Sequence, residues 1–423
     1  MKNELNKAGF GAALGSRLAL DRLKGNGTAR TSNDCENIVI VGGDLCNKGA
    51  QAMTYTLVDQ LSRRFPQKEI YLFSSRDYYR DTDQNRKFTF NILPWGVEYR
   101  SKILARKLPS NVELEEYEEI KRVLNDCKFM IDINGYALSS QRGFARSLLY
   151  MSNISVCKSL SIPMYIFPQS IGPFDYGMGK SNIMDAFLNL YLDYPQKIYS
   201  REQEGVTYAK KYTNNDVEKS FDIVLQFDEY QTGNIFKNPP DLRKIEIADN
   251  AAGIIPNSKV KDRMNEKEFY NMNKEIVNNL LDKGKDVYII RHAEGDKEIC
   301  QTISQIFSSV DGVHTLSQDY DPITLETIIG DLDYIIGSRY HSLIHAYKNS
   351  VPAVAIGWAT KYRELLSEFD QLEYFFESRY SIDIKTLGDA IEKMESNYKN
   401  ESEIIAKKRK EIQSQNILSE LPS

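Results

Sequence analysis

Cysteine is scarce in this chain of 423 residues, and its five copies lie far apart. No two of them form a CxxC pair, so the sequence offers neither a zinc-binding spacing nor a disulfide framework. We therefore expect a protein of the reducing cytosol that holds no metal. The cysteines are Cys35, Cys46, Cys127, Cys157 and Cys300.

Long apolar runs are also missing, and none approaches the ~18 residues that suggest a membrane-spanning helix. The formal net charge of −5 argues against a globally basic nucleic-acid binder, although a local basic pocket remains open. Glycine (24 residues) and proline (13) are not in excess, so collagen-like and low-complexity chains are excluded. Apolar residues make up 41% of the chain, which is enough to bury sizeable cores.

Short β-branched, apolar segments alternate with helical patterns from residue 37 onward, for example at 37–43, 69–75 and 128–135. Such alternation predicts parallel strands covered by helices on both faces. A polar, proline-containing stretch at 228–243 has no clear period, and a second α/β series follows it. The sequence therefore predicts an α/β protein with two Rossmann-like domains facing a cleft and a charged helical segment at the C-terminus.

The predicted domain boundaries are 34–232 and 233–385, with a flexible N-terminal extension at 1–33 and a C-terminal helical segment at 386–423. A short amphipathic helix that meets a membrane or a partner is the alternative for the extension. Residues 78–109 are expected to form a long irregular excursion, and 220–227 a further strand.

Ligands of Rossmann-like folds bind beyond the carboxyl ends of the strands, so the loops at those ends are the candidate site. Asn47 lies in a glycine-containing loop before a helix, where it is either an N-cap or a ligand contact. That loop matches neither a P-loop nor GxGxxG. Gln169 and Ser170 occupy a rigid turn after another strand and face the cleft, unless the turn is an ordinary strand exit.

The most specific candidates lie from residue 201 onward. Arg339 and His341 follow a buried strand at the start of an apolar helix, which places a cation and a titratable imidazole together. Arg201 can bind a phosphate or carboxylate through bidentate hydrogen bonds, or it pairs with a nearby glutamate. Lys361 is either a further positive group or a solvated lysine. His292 also ends a strand, in a binding or a structural role.

Four motifs together resemble the polysaccharide pyruvyl transferase family over residues 37 to about 369. They are NxGA at 47–50, PQSIGPF at 168–174, SRE at 200–202 and GSRYHSLIHAYKNSVPAVAIGWATKYRELL at 337–366. The resemblance implies a GT-B-like fold, and a transfer of pyruvate from phosphoenolpyruvate (PEP) to a sugar of a surface polysaccharide or its precursor. The product is a cyclic ketal across two hydroxyls.

The resemblance assigns PEP binding to Arg201, Arg339 and His341, with Lys361 and the backbone of Tyr340 beside them, and the C-terminal domain is the predicted PEP side. His341 is then the general acid/base. PEP carries a phosphate and a carboxylate, so two arginines in a cleft suit its charge. The reaction requires no cofactor, because PEP is itself the co-substrate.

The chain reads DINGYALSS at 132–140, where many family members have a run of glycines. Asp132 and Asn134 there are expected to contact acceptor hydroxyls or to act as buried caps. The N-terminal domain is the predicted acceptor side, and the full set of predicted acceptor contacts is Asn47, Asp132, Asn134, Gln169, Ser170 and His292.

Two other functions remain open at this point: a GT-B glycosyltransferase that uses a nucleotide sugar, and a non-catalytic glycan-binding member of the family. The expected partners are PEP and a sugar or lipid-linked glycan, with no nucleic acid. The expected location is the cytoplasm or the inner face of the membrane, with peripheral membrane contact left open. The oligomeric state is also open.

Overall fold

The computed structural model describes residues 2–24, 29, 35–80, 82–105, 113–239 and 245–422. Two parallel β-sheets of seven and six strands dominate these ranges, and helices cover both. No helix within them is long and apolar enough to cross a membrane.

The seven-stranded sheet forms the N-terminal domain. Most of its strand residues are buried, as parallel strands between two helix layers must be. The strands lie in the order β3-β2-β1-β4-β5-β6-β7, so the direction of winding reverses between β1 and β4. They are β1 Asn37–Val41, β2 Glu69–Phe73, β3 Asn91–Leu93, β4 Cys127–Asp132, β5 Met164–Gln169, β6 Lys197–Ser200 and β7 Val217–Lys219.

The six-stranded sheet of the C-terminal domain repeats this winding, in the order β10-β9-β8-β11-β12-β13. Its reversal point lies between β8 and β11, where loops diverge and leave a crevice. The strands are β8 Ala251–Ile255, β9 Asp286–Ile290, β10 Val313–Leu316, β11 Tyr334–Gly337, β12 Ala353–Gly357 and β13 Phe375–Glu377. The prediction of two Rossmann-like domains is confirmed.

Helices cover both sheets. Within the described ranges, nine α-helices lie with the first sheet: α1 Lys2–Lys24, α2 Lys48–Arg64, α3 Ser75–Tyr78, α4 Thr82–Arg86, α5 Val97–Ala105, α6 Leu114–Asn125, α7 Phe144–Leu160, α8 Lys180–Tyr191 and α9 Gln203–Ala209. Seven follow: α10 Ser258–Lys261, α11 Glu266–Asp282, α12 Lys297–Ile306, α13 Pro322–Gly330, α14 Tyr340–Lys348, α15 Thr360–Glu368 and α16 Ile384–Gln413.

The N-terminal segment differs from the flexible extension expected at 1–33, because residues 2–24 form helix α1. Phe10 and Leu14 of this helix are buried in the core of the N-terminal domain. The hydroxyl of Tyr191 donates to Asp21 at 3.0 Å, which ties α1 to α8. Apolar residues at helical spacing thus anchor this segment.

Two further expectations need correction. Residues 220–227 are not a strand: β7 ends at Lys219, and Ile223–Gln226 form a 3-10 helix capped by Asp222, whose side chain accepts from the Val224 N–H. The excursion expected at 78–109 contains α4, β3 and α5 up to residue 105 and lies outside the described residues from 106. Its short, polar elements gave no clear period.

The C-terminal helix α16 is present as predicted and packs against both domains. Arg409 of α16 pairs with Asp228 at 3.0 Å and donates to the carbonyl of Lys348 at 2.7 Å. Beyond the helix, the carbonyl of Leu421 accepts from Arg64 of α2 at 2.8 Å. These contacts hold the two sheets on either side of one cleft.

Candidate active site

A cleft of about 940 Å³ lies between the two domains. The loops that line it leave the sheets at both reversal points, after β1 and β4 in one domain and after β8 and β11 in the other. Among the described residues, Asp44 is the only acidic residue in its lining, against ten lysines and arginines. An acidic chain has therefore concentrated positive charge here, which favours an anionic ligand.

Arg201 is fixed by a buried ion pair at the domain boundary. It follows β6, and its Nη2 lies 2.6 Å from Oδ2 of Asp222, which is fully buried. Burial alone would raise the pKa of Asp222, but the charge of Arg201 and the neighbouring His341 side chain outweigh it and hold the pKa below its usual value. Asp222 is therefore ionised at neutral pH and keeps the guanidinium in one orientation.

His341 joins the same carboxylate from the other domain. It lies in the first turn of α14, and its Nε2 is 3.3 Å from Oδ2 of Asp222. Burial lowers the pKa of His341 to about 4, although Asp222 acts in the opposite direction. The imidazole is thus neutral at pH 7 in the unliganded cleft.

Gly49 of α2 lies directly against the His341 ring. A Cβ atom at position 49 would be only 2.1 Å from Nδ1 of His341, far inside van der Waals contact. The histidine is therefore held between Gly49 and Asp222, both on the N-terminal side of the cleft. This close approach gives the NxGA motif a physical reason for its glycine.

Gly49→Ala should lower the free energy of unfolding by about 1–3 kcal/mol, because overpacking forces the ring or the helix to move. Gly388→Ala in α16 is the matched control: its Cβ would meet Asn279 at an ordinary 3.7 Å, so a rise of up to about 1 kcal/mol is expected. Thermal melts of both variants test this. Equal upward shifts would show that no close contact exists at Gly49.

Arg339 is held by a second buried carboxylate. Its Nε donates to Oδ2 of Asp296 at 2.8 Å, and its Nη2 bonds Oδ1 of the same group and Oγ of Ser258. Asp296 is fully buried and also accepts the backbone N–H groups of Ser258 and Ala293. This arrangement orients the guanidinium at the cleft wall before any ligand arrives.

Tyr340 separates two cations within the site. Its ring lies 5.7 Å from the guanidinium carbon of Arg201 and 4.6 Å from Nζ of Lys361. Burial and the nearby charge of Arg201 lower the pKa of Lys361 to about 8, so this amine is readily titrated. Within the described residues no carboxylate forms an ion pair with Lys361, and its charge stays available to a ligand.

The family model described as polysaccharide pyruvyl transferase matches residues 47–360, about three quarters of the chain. The chain belongs to this family. The match begins at the end of the loop after β1, includes the loops after β4, β8 and β11, and ends beside Lys361. No curated protein matches the sequence at a significant level.

Solved structures share the fold at low identity. UDP-GlcNAc 2-epimerase from Methanocaldococcus jannaschii has a TM-score of 0.53 and 11% identity, and covers 84% of this chain and 91% of that one. The glycotransferase of kitacinnamycin has a TM-score of 0.52 and 8% identity, with coverage of 90% and 95%. UDP-GlcNAc 2-epimerase from Neisseria meningitidis gives 0.50 and 13%, with 89% and 96%. The fold of this pyruvyl transferase family member is therefore GT-B-like.

The structure brings the five predicted PEP-side residues together. Arg201, Arg339, Tyr340, His341 and Lys361 all line the cleft, four from the C-terminal domain and Arg201 from the N-terminal domain. The predicted set already included Arg201 from the N-terminal domain, although the C-terminal domain was the predicted PEP side.

The predicted acceptor residues divide into two groups. Asn47, Asn134 and His292 line the cleft. Asp132, Gln169 and Ser170 are buried outside its lining, where they support residues that do line it.

The three buried residues make internal hydrogen bonds. Asp132 accepts from the backbone and side-chain amides of Asn134, at 2.9 and 2.8 Å. The carbonyl of Gln169 accepts the Arg201 N–H at 3.0 Å, and Ser170 donates to Glu202 at 2.6 Å. They position Asn134 and the Arg201 loop, which is a structural role.

Proposed function

We propose that this chain transfers pyruvate from PEP to two hydroxyls of a sugar and forms a cyclic ketal. The observation that carries the proposal is the meeting of Arg201, Arg339, Lys361 and His341 in one cleft, with both guanidinium groups already oriented by buried carboxylates. Family membership and fold indicate a transferase that acts on polysaccharide. The donor and the ketal chemistry are the proposed part.

The donor suits the charge of this cleft. PEP carries a phosphate and a carboxylate, and guanidinium groups bind both through paired hydrogen bonds. Arg201 and Arg339 hold the two anionic groups, and Lys361 supplies a third positive charge as phosphate leaves. Orientation before binding reduces the entropic cost of holding the donor.

The reaction begins when a proton adds to the methylene carbon of PEP, which leaves positive charge at C2. One sugar hydroxyl attacks C2 and gives up its proton. Phosphate then departs, and the second hydroxyl attacks C2 and loses its proton to complete the ketal. One of the two released protons restores the general acid, and the other leaves with phosphate.

His341 is the proposed general acid and base for these proton transfers. Its low pKa in the empty cleft keeps it neutral, but a bound phosphate or carboxylate would favour the imidazolium and raise the pKa. Donor binding therefore brings in the proton that the first step needs. Asp222 then stabilises the imidazolium and holds its orientation.

Calorimetric titration of PEP tests the donor. The wild-type chain should bind PEP, and Arg339→Gln should weaken binding about 10- to 100-fold, since a charge-assisted contact contributes about 1.5–3 kcal/mol. Arg86→Gln is the control, because Arg86 is exposed and pairs with Asp83 outside the cleft. Equal PEP affinity in the wild-type chain and Arg339→Gln, or no PEP binding by the wild-type chain with or without a pool of glycan acceptors, would contradict the proposal.

Calorimetric titration with a UDP-sugar tests the alternative function, a glycosyltransferase. A nucleotide sugar commonly needs a carboxylate for its ribose, yet Asp44 is the only acidic residue in the described lining and it already pairs with Arg76 at 3.1 Å. Glu364 accepts the Gln203 N–H, and Glu294 pairs with Arg291. UDP-sugar binding that PEP displaces would favour this alternative.

A further inference from the structure

Three arginines in the N-terminal wall of the cleft have no part in the proposed donor chemistry. Arg142 ends the 3-10 helix Ser140–Arg142, Arg146 lies in the first turn of α7, and Arg100 belongs to α5. All three line the cleft. Arg142 and Arg146 are exposed, and in the described part of the chain no carboxylate forms an ion pair with either.

Arg100 is a buried cation that is bonded only to neutral groups. It is 7% exposed, and it donates to the carbonyls of Leu149 and Trp95 and to the hydroxyl of Ser152. Its Nε is buried without a hydrogen-bond partner. Asp132 acts on it only from beyond ion-pair distance and is already bonded to Asn134 and Asn153.

A buried guanidinium without a paired carboxylate is costly unless an anion compensates it. Asp132 and Glu98 act on Arg100 only from beyond ion-pair distance, and the carboxylate in the described lining, Asp44, pairs with Arg76 and accepts the backbone N–H groups of Cys46 and Asn47. Among the described residues, no carboxylate forms an ion pair with any of the three arginines, and a bound anion would supply the missing charge.

These three arginines, here called the arginine wall, lie beside the donor site but share no residue with it. A Cβ atom at Gly135 would be 3.7 Å from Nη1 of Arg201, and the ring of the next residue, Tyr136, is 5.9 Å from the guanidinium carbon of Arg142. Arg142 also contributes to the lowered pKa of Lys361, so the two cationic groups share one cavity.

We propose that Arg100, Arg142 and Arg146 form an anion site for the acceptor, which is a sugar carrying a phosphate or diphosphate. The assignment to an acceptor rests on the proposed function. A diphosphate suits three guanidinium groups better than a single carboxylate, because it offers more charge and more acceptor oxygens. The cavity of about 940 Å³ has room for such a sugar as well as the three-carbon donor. The diphosphate could belong to a nucleotide or to a prenyl carrier, and both share this chemistry.

Pyrophosphate is the probe for the site itself. It is titrated into the full chain saturated with PEP, so that the donor site is filled. The double variant Arg142→Gln with Arg146→Gln should bind pyrophosphate at least about 30-fold more weakly, while its PEP affinity changes less than about threefold. The matched control is Arg86→Gln with Arg122→Gln, because both side chains are exposed, paired and outside the cleft.

Each outcome decides one question. Pyrophosphate binding that persists with PEP and is lost in the double variant supports the inference. Pyrophosphate that competes with PEP, or that binds the double variant as tightly as the wild-type chain, overturns it and leaves the proposed function intact. If PEP does not bind but the double variant still loses pyrophosphate, the proposed function fails and the acceptor assignment falls with it.

Three ligands that share a glucose unit distinguish the two carriers of the diphosphate: glucose itself, UDP-glucose and geranyl-diphosphate glucose. We expect both diphosphates to bind at least about 10-fold more tightly than glucose, with the advantage lost in the double variant. A preference for UDP-glucose indicates a nucleotide carrier, and a preference for the geranyl compound a lipid carrier. Equal binding of all three sugars overturns the inference.

Discussion

His341→Gln should lower kcat for pyruvyl transfer by about 100- to 10,000-fold, with a much smaller change in the affinity for PEP. Glutamine keeps an amide that can donate toward Asp222, so the Arg201–Asp222 pair and the domain contact survive. What disappears is the titratable group, and with it the proton for the methylene carbon of PEP. Steady-state kinetics with a phosphate-release assay, together with PEP calorimetry, separates the two effects.

The uptake of a proton by His341 when PEP binds provides an independent control for this prediction. His341 has a pKa of about 4 in the empty cleft, and bound PEP should raise it. PEP binding between these two pKa values therefore takes up a proton, and affinity rises as the pH falls through that interval. Calorimetry in buffers of different ionisation enthalpy, at a pH well below the pKa of about 8 of Lys361, measures this uptake, and the part that belongs to His341 should vanish in His341→Gln. Unchanged uptake and unchanged kcat would remove the catalytic role of His341.

Much of the fold could be predicted because its signals are local. The buried strands of both domains are short β-branched runs followed by glycine or polar residues, and the long helix α16 carries its own charged pattern. The strand predicted at 220–227 failed because a run of apolar residues fits a buried 3-10 helix as well as a strand. A helix at the N-terminus was only the alternative to a flexible extension, since the buried face of α1 is narrow and depends on packing against α5 and α8.

The residues of the candidate site also fall into those that the sequence reveals and those that only the fold reveals. Arg339 and His341 stand out in sequence because they follow a strand directly and because the chain has only four histidines. Asp222 and the arginine wall give no such signal: Asp222 is 119 positions from His341 and meets it only when the domains face each other. Asp222 could have been found only as an isolated carboxylate at a strand end. The three arginines stand in no distinctive sequence motif, and only the fold shows that one cavity collects them.

Asp222→Asn should lower the free energy of unfolding by about 3–5 kcal/mol, because it leaves the buried guanidinium of Arg201 without its counter-charge. The loss should appear as a lower urea midpoint. Since the folded-state pKa of Asp222 is depressed, its contribution is present above the unfolded pKa of about 4 and disappears as the pH falls through the folded value. The difference between wild-type and variant chains should therefore shrink in acid.

Removing both partners distinguishes a lost ion pair from general damage. Arg201→Gln with Asp222→Asn leaves no unpaired buried charge, so its stability loss should be smaller than the sum of the two single losses. The double variant should nevertheless stay inactive, because Arg201 binds the donor and Asp222 orients His341 across the domain boundary. Strictly additive losses would show that the two groups do not interact in the folded chain. Coupling in stability together with lost turnover in all three variants would instead show that this ion pair supports both the folded chain and the geometry of the site.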